Sequence, residues 1–308
     1  MSQSMGESSI AVDKDVEVLM YDEPELGRAP VGKAHEPTTR SHWVVSGILA
    51  VGLVIVIFPF IWMLLGSFKT EGELRQVPPT VFPEAPTVEN YQNLWSQLNV
   101  PQFAFNSAIV ALAVTVGNLL FCSMAGYALA KLGFPGKRAV MVVVLAMLMV
   151  PGTVTFVPLF VLTSNMGLVN TYGGLIIPFL AGAFGVFLMR QFMENLPNEL
   201  IEAARIDGAN EFTIFFRIML PLARPALATL ALLTFLGNWN SFLWPLVVAQ
   251  SENMYTLPIA LALYSTGQYA SQYALLMAGA VVVIIPVLIL FIFLQRFFVQ
   301  GAATTGIK

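Results

Sequence analysis

A chain of 308 residues that is 57% hydrophobic and only 11% charged, with mean hydropathy +0.75 and net charge -3, is not a pair of soluble domains, and it offers no basic surface for nucleic acid. Its one cysteine, Cys122, lies in an apolar run, which excludes an intramolecular disulfide and a cysteine metal cluster; the two histidines, His35 and His42, have no clustered partners, so no metal site is expected. The composition is that of an all-α polytopic membrane protein.

Residues 1–42 carry eight acids against four bases, with Pro24, Pro30 and Pro37, and read as a disordered acidic tail rather than a secretory signal, whose short leading region is basic. The charge-free run 43–65 is long enough to cross a bilayer core of about 30 Å, and Pro59 lies near its far end. Residues 66–102 are polar and proline-rich and read as an external loop, with Thr87–Trp95 suggesting one short helix. A second span covers 105–130. The turn 131–138, KLGFPGKR, is basic but is no phosphate loop, because Gly133 and Gly136 lack the four-residue gap and no Ser or Thr follows Lys137. The third span, 139–162, is interrupted by Pro151-Gly152 and Pro158, and the fourth, 173–189, contains Pro178. After a charged segment at 190–225 come a fifth span at 226–249, an external loop at 250–273, a sixth span to residue 299, and a tail at 300–308.

The charged segment holds five of the eighteen acids and four of the fifteen bases. Asn198 is placed to cap a short helix with Glu199 in its first turn, and Asp207-Gly208 interrupts that helix. Asn210 is placed to cap a second helix on which Phe212, Phe215, Phe216 and Met219 share one face, stopped by Pro221 and Pro225. A helical hairpin this small cannot bury such a face alone, so it must pack on its own spans, on another protein, or on both.

Glu202-Ala203-Ala204, Asp207-Gly208-Ala209 and Leu220-Pro221 together resemble the EAA loop of ATP-binding-cassette importer permeases. The resemblance implies a type I permease fold of six transmembrane helices, with the hairpin seated in a cleft of a separate ATPase. Coupling would then rest on Glu202, Ala203, Ala204, Asp207, Gly208, Ala209, Phe212, Phe215, Phe216 and Pro221. Asn238-Trp239-Asn240-Ser241 and Trp244-Pro245 are similar to a signature of carbohydrate-importing permeases that lies along the path or the interface of the two permease subunits. Pro151 and Thr153 are further path candidates, with Asn106, Ser107 and Asn118 as weaker ones whose expected role is packing. Thr256, Leu257, Pro258 and Tyr264 resemble the loop of maltose-type second permeases that reaches an external binding protein. The implied partners are a second permease, an ATPase dimer carrying the ATP and Mg, an extracytoplasmic binding protein, a carbohydrate and the bilayer; no cofactor is expected on this chain. Glycerol phosphate, a polyol or a peptide stands as an alternative cargo, and an ATPase-independent channel or carrier as an alternative class.

Two observations owe nothing to the resemblance. No acid lies between Glu89 and Glu194, or in the spans after Glu211, which argues against proton- or sodium-coupled transport, and no Walker A pattern is present for the chain to hydrolyse ATP. Placing both termini, the 131–138 turn and the hairpin in the bacterial cytoplasm puts thirteen of the fifteen basic residues inside, leaving Lys69 and Arg75 outside.

Overall fold

In the computed structural model the backbone is described over residues 39–266 and 272–305, and the side chains over 43–265 and 272–295. The acidic tail lies almost wholly outside the described residues. Two compact units, 1–55 and 56–308, divide the chain. Every regular element among the described residues is helical: α1 (Thr39–Gly66), α2 (Glu71–Leu74), α3 (Glu89–Gln97), α4 (Val100–Lys131), α5 (Lys137–Met149), α6 (Gly152–Asn165), α7 (Tyr172–Ile176), α8 (Ala183–Glu194) and α9 (Glu199–Ile206) come first. α10 (Glu211–Ile214) then runs through a π turn (Phe215–Met219) into α11 (Leu220–Leu222), followed by α12 (Arg224–Trp239), α13 (Leu243–Val248), α14 (Leu257–Thr266) and α15 (Tyr273–Thr305).

Three stretches, Trp43–Gly66, Val100–Lys131 and Tyr273–Gln295, are long and apolar enough to cross a membrane unbroken. Three others are bent pairs, α5 with α6 by 104°, α7 with α8 by 40°, and the α10–α11 segment with α12 by 79°, so six crossings are reached when each bent pair is one span. Proline or glycine sits at each break. Pro151 precedes α6, Pro178 and Gly182 lie between α7 and α8, and Pro225 occupies the first turn of α12, where its missing N–H costs nothing. Two sequence expectations change here. Pro221 does not stop the second hairpin helix, which continues through it to Leu222, and the fifth apolar run is not one helix, because α12 ends at Trp239 and α13 starts at Leu243.

α4 is the post of unit 56–308. Val100, Phe103, Ser107, Val110, Val114, Asn118 and Cys122 are buried at three- and four-residue steps, and the helix packs chiefly on α8 and α12. At Gly126 the backbones of α4 and α8 nearly touch: a Cβ there would stand 2.7 Å from Met189 Cβ and 2.8 Å from Arg190 N. By contrast, α5 has no buried residue, and α6 buries only Thr163.

Residues 66–102 form an ordered cap with two short helices where a loop with one was expected. Its centre is a buried pair, Lys69 Nζ 3.7 Å from Glu73 Oε1. Lys69 also donates to the carbonyl and hydroxyl oxygens of Thr80, and Glu73 Oε1 accepts from the Thr80 hydroxyl at 2.8 Å and the Glu84 amide at 3.0 Å. Burial opposes ionisation of Glu73, but these hydrogen bonds and the Lys69 charge outweigh it and hold the carboxyl below its ordinary value. Asn90 ties α3 back to the end of α1 by donating to Ser67 O and Lys69 O.

The segment 250–273, expected as an external loop, is likewise not a free loop over its described residues. Leu257–Thr266 is helix α14, packed on α4 and α15, and Tyr269 falls outside the described residues.

Candidate functional site

The hairpin is built from local rules. α9 closes in a glycine-terminated turn: Gly208 N donates to Arg205 O at 3.0 Å and Ala209 N to Ala204 O at 2.9 Å, with Gly208 at φ +80°. No atom lies within 4 Å of a Cβ built on Gly208, so glycine is required there by conformation and not by close approach. Asn210 caps α10 as expected, its carboxamide oxygen accepting from Thr213 N at 2.8 Å. Asn198 precedes α9 but makes no cap hydrogen bond, because its Oδ1 accepts from Lys131 Nζ at 2.7 Å instead.

Burial sorts the coupling candidates. Ala204 is buried and Ala209 packs beside it, while Glu202, Ala203 and Asp207 are exposed. Of the three phenylalanines on one face only Phe215 enters the core, at 3% exposure, beside Ile214, Met219, Met189 and Met193. Phe212 at 67% and Phe216 at 47% stand out of it, next to Ile206 at 87%. Phe215 opens a π turn in which Leu220 N donates to Phe215 O; within it Phe215 and Met219 are buried and Phe216 stays at the surface. Pro221 is half-buried in the last turn.

Sequence reasoning missed the ties that fix the hairpin to the spans. Glu211 Oε1 accepts from Arg205 Nε at 2.9 Å and Nη2 at 2.7 Å, and Glu211 Oε2 accepts from the Tyr127 hydroxyl at 2.6 Å. Arg205 is bound to Glu211, and neither Glu202 nor Asp207 forms an ion pair among the described residues. The available signal was a tyrosine one helical turn before the lysine that ends an otherwise uncharged span.

The path candidates separate into structural and open groups. Trp239 is buried, stacks on Phe235 and donates Nε1–H to Val283 O at 2.9 Å; Trp244 is buried between Phe156 and Phe179 and donates to Gly174 O at 3.0 Å. Asn106 donates to Asn253 O and Tyr255 O and accepts from Tyr172, while Ser107 accepts from Leu257 N, so both pin α4 to the 253–257 segment. Asn238 is half-buried in α12, and Asn240, Pro151 and Thr153 are exposed, with Ser241 half-buried. Asn118, Gly182, Thr234, Gly237 and Asn238 meet along one groove of about 260 Å³. Asn118 spans its floor, donating to Phe179 O at 2.6 Å.

The candidates for contact with a binding protein are corrected in part. Thr256 and Leu257 are buried, Leu257 within the cluster of Phe103 and Trp239, so their side chains are not presented outward. Pro258 and Tyr264 are half-buried, and the Tyr264 hydroxyl bonds Gln97 Oε1.

Residues 118–303 match the family described as "Binding-protein-dependent transport system inner membrane component". The chain is 42% identical to the arabinooligosaccharides transport system permease protein AraQ of Halalkalibacterium halodurans, over 86% of this chain and 97% of that one. It is 38% identical to the diacetylchitobiose uptake system permease protein NgcG of Streptomyces coelicolor, over 92% of each. A solved bacterial ABC transporter involved in import of the acidic polysaccharide alginate matches with TM-score 0.76 and 25% identity, over 84% of this chain and 97% of that chain. With the family matched over most of its length and relatives this similar along nearly all of it, the chain belongs to the inner-membrane components of binding-protein-dependent transport systems.

Proposed function

We propose that this chain is one of two membrane subunits of an ATP-driven importer in the bacterial cytoplasmic membrane, passing inward a carbohydrate handed over by an extracytoplasmic binding protein. The observation that carries the reading is the bare apolar ridge of the hairpin. Ile206, Phe212 and Phe216 stay exposed on a segment whose base is firmly buried, and Glu202 and Asp207 beside them have no ion-pair partner among the described residues. An apolar ridge edged by unpaired carboxylates fits a cleft with an apolar floor and basic rim on another protein. That protein is the ATPase. The spans contain no acid to harvest an ion gradient and the chain has no phosphate loop, so the ATP and Mg belong to the partner.

The groove of Asn118, Thr234 and Asn238 offers carboxamides and a hydroxyl without a formal charge, which suits sugar hydroxyls better than a phosphate. The uncovered α5–α6 elbow, with Pro151 and Thr153 at its bend, is the face for the second permease. Cytoplasmic placement of the hairpin and both termini follows from the distribution of lysine and arginine.

The test is co-purification. The Phe212→Asp/Phe216→Asp variant should insert normally yet lose the ATPase that accompanies the wild-type chain from its host membrane. Retention of the ATPase at wild-type stoichiometry would overturn the reading. Vesicles holding the assembled complex and its binding protein would then be screened for ATP-dependent uptake of arabinose oligomers, diacetylchitobiose and lactose.

A further inference from the structure

We propose that Tyr127 and Lys131 are positioning residues that fasten the two ends of α9, the first helix of the hairpin, to the last two turns of α4, so that α4 and the hairpin move as one body. The inference rests on the coupling role assigned to the hairpin above. Residues four apart on a helix project side by side, and these two reach opposite ends of α9. Lys131 Nζ takes the near end, donating to Leu196 O at 2.5 Å, Asn198 Oδ1 at 2.7 Å and Glu194 O at 3.3 Å. Those acceptors are the free carbonyls where α8 ends and the oxygen of the residue that precedes α9. Tyr127 takes the far end, donating its hydroxyl proton to Glu211 at the start of α10, just past the turn that closes α9. Glu211 relays the hold to α9, since its other oxygen carries both Arg205 bonds.

Asn198 marks the strength of the arrangement. An asparagine before a helix ordinarily caps that helix with its own oxygen, and here that oxygen is turned to the lysine, leaving α9 without a side-chain cap.

The polar ties add to the packing of Ile201, Ala204, Ile214 and Phe215 in the core and act where that packing is interrupted. A cavity of about 280 Å³ lies between α4 and α10, lined by Met124, Tyr127, Ala128, Leu132, Glu211 and Phe212, with Phe215 on its wall. The Tyr127–Phe215 ring pair at 5.5 Å and the hydroxyl–carboxylate bond run beside this gap. Without the bond, the start of α10 has room to tilt into the cavity. A hairpin that tilts independently would absorb the ATPase stroke without passing it to α4.

The experiment measures that rigidity directly. Spin labels are placed on Val116→Cys and Leu200→Cys, both exposed and neither on the apolar ridge, in a Cys122→Ser background of the full chain with whatever partners it brings from the membrane. The expected result is one narrow inter-label distance in the parent, the same with and without ATP and vanadate. Tyr127→Phe/Lys131→Met should lose the single narrow peak. Lys131→Arg, which keeps the donors, should retain it, whereas a merely space-filling role would be served as well by Met. A parent distance that changes with nucleotide, or a double variant as narrow as the parent, would overturn the proposal. Peak width in the absence of nucleotide does not depend on which protein drives the hairpin. A parent that brings no ATPase would therefore refute the functional reading while leaving this measurement decisive.

Discussion

Gly126 is the position where a single methyl group should do the most damage. In Gly126→Ala the new Cβ would stand 2.7 Å from Met189 Cβ, 2.8 Å from Arg190 N and 3.0 Å from Met189 C. Carbon atoms rest about 3.5–4.0 Å apart, so α8 must retreat by about 1 Å. None of the three obstructing atoms is the free end of a flexible side chain, so the strain cannot be relieved by a rotamer change. Overpacking of this kind costs about 1–3 kcal/mol. At about 2–4 °C per kcal/mol for a domain of this size, the apparent melting temperature should fall by roughly 2–12 °C. The same retreat carries the end of α8 away from Lys131, whose bonds to Leu196 O and Asn198 Oδ1 at 2.5 and 2.7 Å would stretch past hydrogen-bonding range. Gly237→Ala is the control, since nothing lies within 4 Å of its Cβ and alanine favours a helix interior. Both variants would be heated in detergent and followed by gel filtration of the monodisperse fraction. A Gly126→Ala protein that survives as well as Gly237→Ala would refute the backbone-contact argument.

Two further predictions use the same kind of reasoning. At Gly208, with φ +80° and open space around it, Gly208→Asn should leave uptake near wild type, and Gly208→Val should cost about 1–2 kcal/mol of turn stability and impair uptake; Gly208→Trp should abolish uptake while the chain still inserts. Equal uptake by all three would show that neither the turn nor its surroundings matters. Glu73 is depressed from an ordinary value of 4.5, so its contribution is complete above that pH and is lost as pH falls through the lower folded value. Hydrogen-exchange protection of the Glu84 amide, corrected for intrinsic rates, should hold at neutral pH and collapse well below 4.5; protection that persists in strong acid would remove Glu73 from the knot.

What could be read from the sequence was set by local rules. The glycine-closed turn at Gly208 and the cap at Asn210 depend on residues a few positions apart, and the structure places them where those rules put them; the charge-free runs are helical, but only three are unbroken spans among the described residues. The long-range ties were not legible. Tyr127 and Glu211 are 84 positions apart, and Ser107 and Leu257 are 150 apart, so nothing in either neighbourhood announces the partner. The same limit explains the 250–273 segment, where Thr-Leu-Pro reads as an exposed turn; Leu257 is instead the start of a helix held down by the Ser107 hydroxyl and by the Phe103 and Trp239 cluster. The π turn escaped because four apolar residues at helical spacing give the same pattern whether or not the turn widens.

The polar side chains of the spans divide in a way that bears on transport. Asn106, Ser107, Trp239 and Trp244 spend their donors or acceptors on this chain's own backbone, each bond joining elements far apart in sequence. Asn238 and Asn240 donate only to carbonyls four residues back in α12, which joins nothing to anything. A carboxamide in an apolar slab is costly unless it meets a partner or water, and these two lie around Gly237, whose Cβ position opens on empty space. The first group would be kept by any protein with this fold. The second has a use only if something polar passes, or a second subunit closes over, the groove between Asn118 and Asn238. Selection for cargo would therefore act on the loosely bonded face of α12, and the two buried tryptophans beside it would hold that face in place.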